Sequence, residues 1–238
     1  MTPVIQELKK QKIDFKVCVT SQHREMLEQV LDFFEIVPDY DLDLMQPNQS
    51  LNQLSGKILT DIDLVLEEEK PELVLVHGDT TSAVMVSLAA FYRQIKVGHI
   101  EAGLRTYNKM APFPEEVNRQ LTARIADFHF APTAKANSNL LQEQIPKEQL
   151  CITGNTVVDA LQWAIQKMGS QPLSKETQKI KALFSPNKKL ILVTGHRREN
   201  FGEGLIQICE ALLELSEREN VELIYPVHLN PNVTGPVQ

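Results

Sequence analysis

Short β-branched runs alternate along this chain with stretches whose apolar residues recur every three or four positions. Phe15–Val19 (FKVCV) reads as a strand, as do Leu73–Val76, Val97–Ile100, Phe128–Ala131 and Leu150–Ile152. Between them, Leu51, Leu54, Ile58, Ile62 and Val65 fall on one helical face. Thr81–Tyr92 is apolar nearly all round, as a helix pressed on a sheet would be, and Asn118–Ala126, Lys135–Glu143 and Val157–Lys167 complete the helical series. Pro3–Lys10 opens the chain as a helix with proline in its first turn. Strands alternating with helices predict right-handed βαβ units and a mostly parallel, doubly wound sheet. No strand precedes the opening helix, although the first strand of such a sheet usually lies centrally and its loop usually holds phosphate. A central strand is therefore expected to be missing. The pattern breaks at the polar, turn-prone segment from Gly169 to Glu176, which reads as a linker. A second βαβ unit follows: Lys189–Thr194, Leu205–Leu215 and Val221–Val227, too little chain to bury its own sheet. The predicted organisation is an α/β domain over residues 1–170 and the start of a second over 171–238.

Composition narrows the class. The 238 residues are 42% hydrophobic, enough for one large core or two smaller ones. No run of about 18 apolar residues is present to span a membrane, and the N-terminus lacks the apolar core of a secretory signal. A net charge of −7 argues against a nucleic-acid coat but leaves room for a local basic loop that binds a small anion. Cys18, Cys151 and Cys209 are far apart and set among apolar residues, so they are expected as buried thiols of a reduced cytoplasm. The six histidines show no metal-ligand spacing, and neither HExxH nor CxxC occurs, so no metal is expected; His129, in FHFAP, is expected in the core.

In open parallel sheets, ligands sit beyond the carboxyl ends of the strands. Asp79 follows the most apolar strand through Gly78, with capping of the next helix as the plain alternative. Glu101 directly ends the strand of Val97–Ile100, where partial burial would raise its pKa toward catalytic use; the alternative is an ion pair with Arg105, itself a candidate anion contact. Glu115 and Glu116 follow Pro112-Phe113-Pro114 at a helix start, where acidic residues also complement the helix dipole. The loop Gly195–Asn200 brings His196, Arg197 and Arg198 to a strand end, a set that can neutralise a diphosphate and leave an imidazole for proton transfer. Gly154-Asn155-Thr156 opens another helix and is explained by capping.

Taken together, HGDTT (77–81), GHIEAGLRT (98–106), PFPEEVNRQLT (112–122), CITGNTVVDAL (151–161), TGHRREN (194–200) and YPVHLNPNV (225–233) resemble the bacterial non-hydrolysing UDP-N-acetylglucosamine 2-epimerases over essentially the whole chain. The resemblance implies a GT-B-like fold: two Rossmann-like domains with the nucleotide sugar between them, the second domain incomplete here. It implies interconversion of UDP-GlcNAc and UDP-ManNAc without cofactor or metal, through loss of the C2 proton, expulsion of UDP to give 2-acetamidoglucal, and re-addition of UDP. Carried over motif by motif, Asp79, Glu101 and Glu115 match the catalytic carboxylates, and His196 matches the histidine that contacts the uridine diphosphate. Gln22, Arg197 and His228 match parts of a second, regulatory UDP-GlcNAc site. The resemblance further implies a cytoplasmic homodimer serving cell-surface polysaccharide synthesis, with no nucleic-acid or membrane partner. Met1–Ile5 lines up just after the family's first strand and its GTRPEA-like loop, and the chain stops before the DSGGxQEE segment. The expectation is that this chain alone does not turn over. The alternatives are a remnant that binds UDP weakly, a hydrolysing relative that releases ManNAc, and a retaining glycosyltransferase of the same architecture.

Overall fold

The computed structural model describes residues 1–21, 24–45, 49–170, 172, 175–195 and 202–227. The chain divides into two compact units, Met1–Ile165 and Gln166–Gln238.

The first unit is built on four parallel strands, β3 (Leu73–His77), β4 (Lys96–Ile100), β5 (Phe128–Ala131) and β6 (Leu150–Ile152), hydrogen-bonded in that order. Each match to a run read from the sequence is within one residue. Register sets His77 beside Ile100 and His99 beside His129, so the strands end together along one edge. Helix α3 (Leu51–Glu69) lies against α4 (Thr81–Tyr92). It starts in a capping box between Ser50 and Gln53 and ends at Lys70 in the left-handed conformation. Leu54, Ile58, Ile62 and Leu66 form its buried stripe, one residue per turn, each stabilising by roughly 1.5–3 kcal/mol. They meet Val76 of β3, Val97 of β4 and the alanines Ala83, Ala89 and Ala90 of α4, whose small side chains allow close approach. Leu51, expected on this stripe, is exposed.

Helices α5 (Glu115–Ile125) and α6 (Ala134–Gln142) follow, with a small core of Ala102, Ala123, Leu140 and Ile145. Helix α5 begins three residues before the apolar pattern suggested, because its first turn is acidic and polar. The strand expected at Phe15–Val19 is reduced to β1 (Cys18–Val19), paired in parallel with β2 (Tyr40–Asp41). Between them runs α2 (Arg24–Phe33), which was not among the predicted helices although Met26, Leu27, Val30 and Leu31 recur at helical spacing. Among the described residues β1 and β2 pair only with each other, and β3 forms one edge of its sheet. Helix α1 (Thr2–Lys10) carries proline in its first turn as expected. Helix α7 (Thr156–Ser170) buries no residue, yet Trp163 stacks on Phe34 with ring centres 5.0 Å apart. The cysteines are free, and none is fully buried as expected: Cys18 and Cys209 are half-buried and Cys151 is exposed.

In the second unit, of the stretch read as linker, Gly169 and Ser170 end α7, and Lys175 and Glu176 open α8 (Lys175–Ala182), a helix the pattern did not predict. Strands β7 (Lys189–Leu192) and β8 (Val221–Ile224) pair in parallel around α9 (Glu203–Ser216), each strand shorter than its apolar run. Leu205 is the one buried hydrophobic residue among those described in this unit.

Candidate active site

The carboxyl ends of β3 and β4 carry the two best-placed carboxylates. After His77 the chain turns at Gly78 with φ +73°, a left-handed backbone that glycine adopts without strain. Three hydrogen bonds fix this turn. The Gly78 N–H donates to the Ile100 carbonyl at 2.9 Å, the Gly78 carbonyl accepts from His99 Nε2 at 2.8 Å, and the Asp79 carbonyl accepts from Asn118 Nδ2 at 3.0 Å. The Asp79 carboxylate is paired with Arg119. Thr80, not Asp79, caps α4 by accepting the Ala83 N–H at 3.1 Å, so the capping alternative for Asp79 does not hold.

Glu101 leaves β4 with φ +66°, a conformation side chains rarely take. A Cβ placed on Gly78 would stand 3.4 Å from Glu101 Oε2, which shows how closely the two strand ends approach. Oε1 accepts from Asn155 Nδ2 at 3.4 Å, and Oε2 is 3.7 Å from His77 Nε2. Burial first, and the neighbouring Asp79 charge second, push the Glu101 carboxyl above the usual range, against opposing pulls from Asn155 and Arg119. Burial, with the Met1 amino group beside it, lowers His77 to about 4. His77 is therefore neutral at pH 7, and at 3.7 Å it is neither an ion pair with Glu101 nor a hydrogen-bond partner. Asn155 also caps α7 through the Val157 N–H at 3.0 Å, so the capping reading of Gly154-Asn155-Thr156 stands and a contact to Glu101 is added.

At the start of α5 the two adjacent glutamates differ completely. Glu115 is half-buried, and among the described residues its carboxylate has no hydrogen-bond or ion-pair partner. Glu116 is fully buried. Burial would raise its pKa, but the Thr106 N–H, the Gln120 amide and the Tyr107 N–H outweigh it and hold the group below the usual carboxylate range. Arg119, one turn on, lies between Glu116 and Asp79. Sequence reasoning passed over Arg119, although its spacing from Glu115 and Glu116 puts all three on one helical face.

Arg105 was expected as an anion contact near the site, with an ion pair to Glu101 as the alternative. Its side chain is instead wholly buried, donating through Nε and Nη2 to Glu143 at 2.7 and 2.9 Å and through Nη1 to the Leu104 carbonyl at 2.8 Å. The bidentate pair ties the segment after β4 to the end of α6. His129 is buried in the core, as its setting suggested. Gln22, His196, Arg197 and His228 lie outside the described residues. Among the described residues no group of three His, Cys, Asp or Glu side chains is placed to hold a metal ion. No helix there is long and apolar enough to cross a membrane. A groove of about 780 Å³ between α1 and α7 is lined by Leu8, Ile13, Ala160 and Trp163 and by none of the site carboxylates.

Residues 6–238 match the family model described as UDP-N-acetylglucosamine 2-epimerase. The UDP-N-acetylglucosamine 2-epimerase of Salmonella typhimurium is 52% identical over 240 residues, covering 100% of this chain and 64% of the relative. The chain thus spans less than two thirds of that relative's length. Among solved structures, the UDP-GlcNAc 2-epimerase from Neisseria meningitidis bound to UDP-GlcNAc superposes with a TM-score of 0.95 at 50% identity, over 100% of this chain and 65% of that one. The Staphylococcus aureus MnaA–UDP co-structure gives 0.89 at 44% identity, over 100% and 61%. The fold is of the GT-B-like α/β class that the sequence implied. The chain belongs to the UDP-N-acetylglucosamine 2-epimerase family.

Proposed function

We propose that this chain carries the proton-transfer machinery for interconverting UDP-GlcNAc and UDP-ManNAc. Inversion at C2 requires a proton to leave one face of the carbon and another to arrive on the opposite face, so at least two proton carriers must flank it. The observation that carries the reading is the approach of Glu101 to the Asp79 turn, with Glu101 held at raised proton affinity by burial and by Asp79. Glu101, whose proton affinity is raised by burial and by the Asp79 charge, is the group suited to exchange the proton. Asp79, paired with Arg119, is its partner carboxylate, and Glu115 is the third candidate. Removal of the C2 proton and departure of UDP leave 2-acetamidoglucal; return of UDP with protonation from the other face gives the epimer. The departing diphosphate needs positive charge, which we assign on sequence grounds to His196 and Arg197. Arg105, buried against Glu143, is not assigned to the substrate. Ligands in two related structures, UDP-GlcNAc and UDP, support the substrate class.

The proposal extends to residues 1–170 as the Rossmann-like domain holding these carboxylates and 171–238 as the start of a second, UDP-binding one. It also extends to a cytoplasmic homodimer whose product feeds cell-surface polysaccharide, and to Gln22, Arg197 and His228 as parts of a regulatory UDP-GlcNAc site. The test is proton NMR of UDP-GlcNAc with the chain in D₂O. Loss of the C2 proton signal with UDP-ManNAc appearing supports epimerisation. Free ManNAc would replace it with hydrolysis. No C2 exchange, with a full-length relative active alongside, would leave a UDP-binding remnant.

A further inference from the structure

Glu116 takes no part in the chemistry above, yet it is the most completely buried acid of the site. We infer that Glu116 is a positioning residue: it clamps the segment at Thr106–Tyr107 onto α5 and aims Arg119 at Asp79. The inference rests on the reading of Asp79 and Glu115 as candidate catalytic carboxylates. A buried carboxylate costs several kcal/mol unless its lone pairs are answered. Here they are answered from two directions. Oε1 accepts the Tyr107 N–H at 3.0 Å and Gln120 Nε2 at 2.8 Å. Oε2 accepts the Thr106 N–H at 3.0 Å and stands 3.5 Å from Arg119 Nη1. Two donors therefore come from the segment that follows β4 and one, Gln120, from the next turn of α5, with the Arg119 charge beside them.

The same guanidinium gives its other terminal nitrogen, Nη2, to Asp79. A planar fork that spans two carboxylates on different elements has one orientation, and turning it toward either partner loses the other. The side chain of Arg119 is only 11% exposed, so water offers little substitute. Tyr107 holds φ +58°, a strained backbone for a residue with a side chain, at the point where its N–H meets Glu116. One carboxylate thus ties together the turn after β3, the segment after β4 and the helix start that presents Glu115. An apolar side chain would fill the space equally well but fix none of these directions.

The test uses NMR on the 238-residue chain, reading amide exchange at Thr106 and Tyr107 and the side-chain N–H signals of Arg119. In the unsubstituted chain both amides should be protected about 100-fold or more, although they lie outside helix and strand. Glu116→Gln keeps the volume but sets an NH₂ against backbone donors. It should speed exchange at those two amides at least roughly tenfold and shift or broaden the Arg119 signals, with amides of β3 and β4 unchanged. Glu116→Asp, which keeps the charge, should recover part of the Arg119 signature. Where C2 exchange is measurable, Glu116→Gln should lower kcat roughly 100-fold with KM within about threefold. Unprotected Thr106 and Tyr107 amides in the unsubstituted chain would overturn the inference, and that measurement decides alone if the variant does not fold. Arg119 signals unmoved in Glu116→Gln, or a KM effect without a kcat effect, would overturn it as well. Absence of C2 exchange in the unsubstituted chain counts against the proposed function, and the NMR readouts then judge Glu116 by themselves.

Discussion

Under the candidate site, Leu54, Ile58, Ile62 and Leu66 of α3 press on Val76 and Val97 of the sheet, with the alanines of α4 between. In the second unit the equivalent parts are present, a parallel strand pair and the helix joining it. Yet Leu190 and Leu192 of β7 and Ile206 and Leu213 of α9 stand exposed, and only Leu205 among the described residues is buried. The difference is one of layers. A parallel sheet is stable when helices cover both faces, and two strands with one crossover cannot supply that cover. The first unit also buries charge, as Glu116 and Arg105 do, and buried charge is tolerable only inside a packed frame that answers every donor and acceptor. Chemistry that depends on shifted proton affinities is therefore expected from the first unit and not from the described part of the second.

Gly103→Ala is the change expected to damage the first unit most. Its backbone sits at φ +87°, and an added Cβ would lie 2.3 Å from the carbonyl oxygen of Ala136, a main-chain atom of α6 that cannot swing aside. The combined strain and overpacking should cost about 4 kcal/mol. Denaturant melts followed by Trp163, the only tryptophan, report this unit. Leu213→Ala, at an exposed site in the second unit, should move the same curve by less than about 0.5 kcal/mol. Equal effects would erase the contrast between the units.

Acid should separate them next. His99 and His129 face each other on β4 and β5, both fully buried. Burial, with help from the Arg105 charge, lowers each from 6.5 to about 4. A depressed imidazole pKa means that the fold prefers the neutral form. That stability is complete above pH 6.5 and is lost as pH falls toward 4. By pH 5 each should have removed on the order of 2 kcal/mol, read as a falling melting midpoint at Trp163. His99→Asn and His129→Asn should flatten the dependence; an unchanged midpoint between pH 7 and 5 would contradict it.

Much of this frame was legible in the residues. The four strand runs of the main sheet and the α3 stripe follow from apolar periodicity, which survives where a segment is buried on one side or on both. Elements whose stability comes from neighbours were not legible. Helix α8 holds a single large apolar residue, Ile180, and the first turn of α5 is defined by what Glu116 accepts from ten residues away, whereas α2 does repeat Met26, Leu27, Val30 and Leu31 at helical spacing and was simply not assigned. At the site, the strand-end rule located Asp79 and Glu101. It misjudged Arg105, because the partner that neutralises it, Glu143, lies on a different element at long sequence range. Arg119 and Asn155 were within quoted motifs, but their contacts to Asp79 and Glu101 depend on strand register, which no single segment encodes.

Within the first unit the smallest effect on stability, and the one that divides site from core, belongs to Glu101→Gln. A carboxyl whose folded pKa is raised destabilises the fold in its ionised form; the cost is absent below its ordinary value of 4.5 and present above it. Glutamine keeps the acceptor for Asn155, keeps the shape, and removes the charge that burial and Asp79 oppose. At pH 7 the variant should therefore melt higher by about 2 °C, and the two curves should converge below pH 4.5. Any C2 exchange should fall by roughly 100-fold or more in the same protein. Stability gained where activity is lost is the mark of a group held in an unfavourable state for its reactivity. A variant that melts lower at pH 7 would instead make Glu101 part of the frame that Gly103 and the buried histidines belong to.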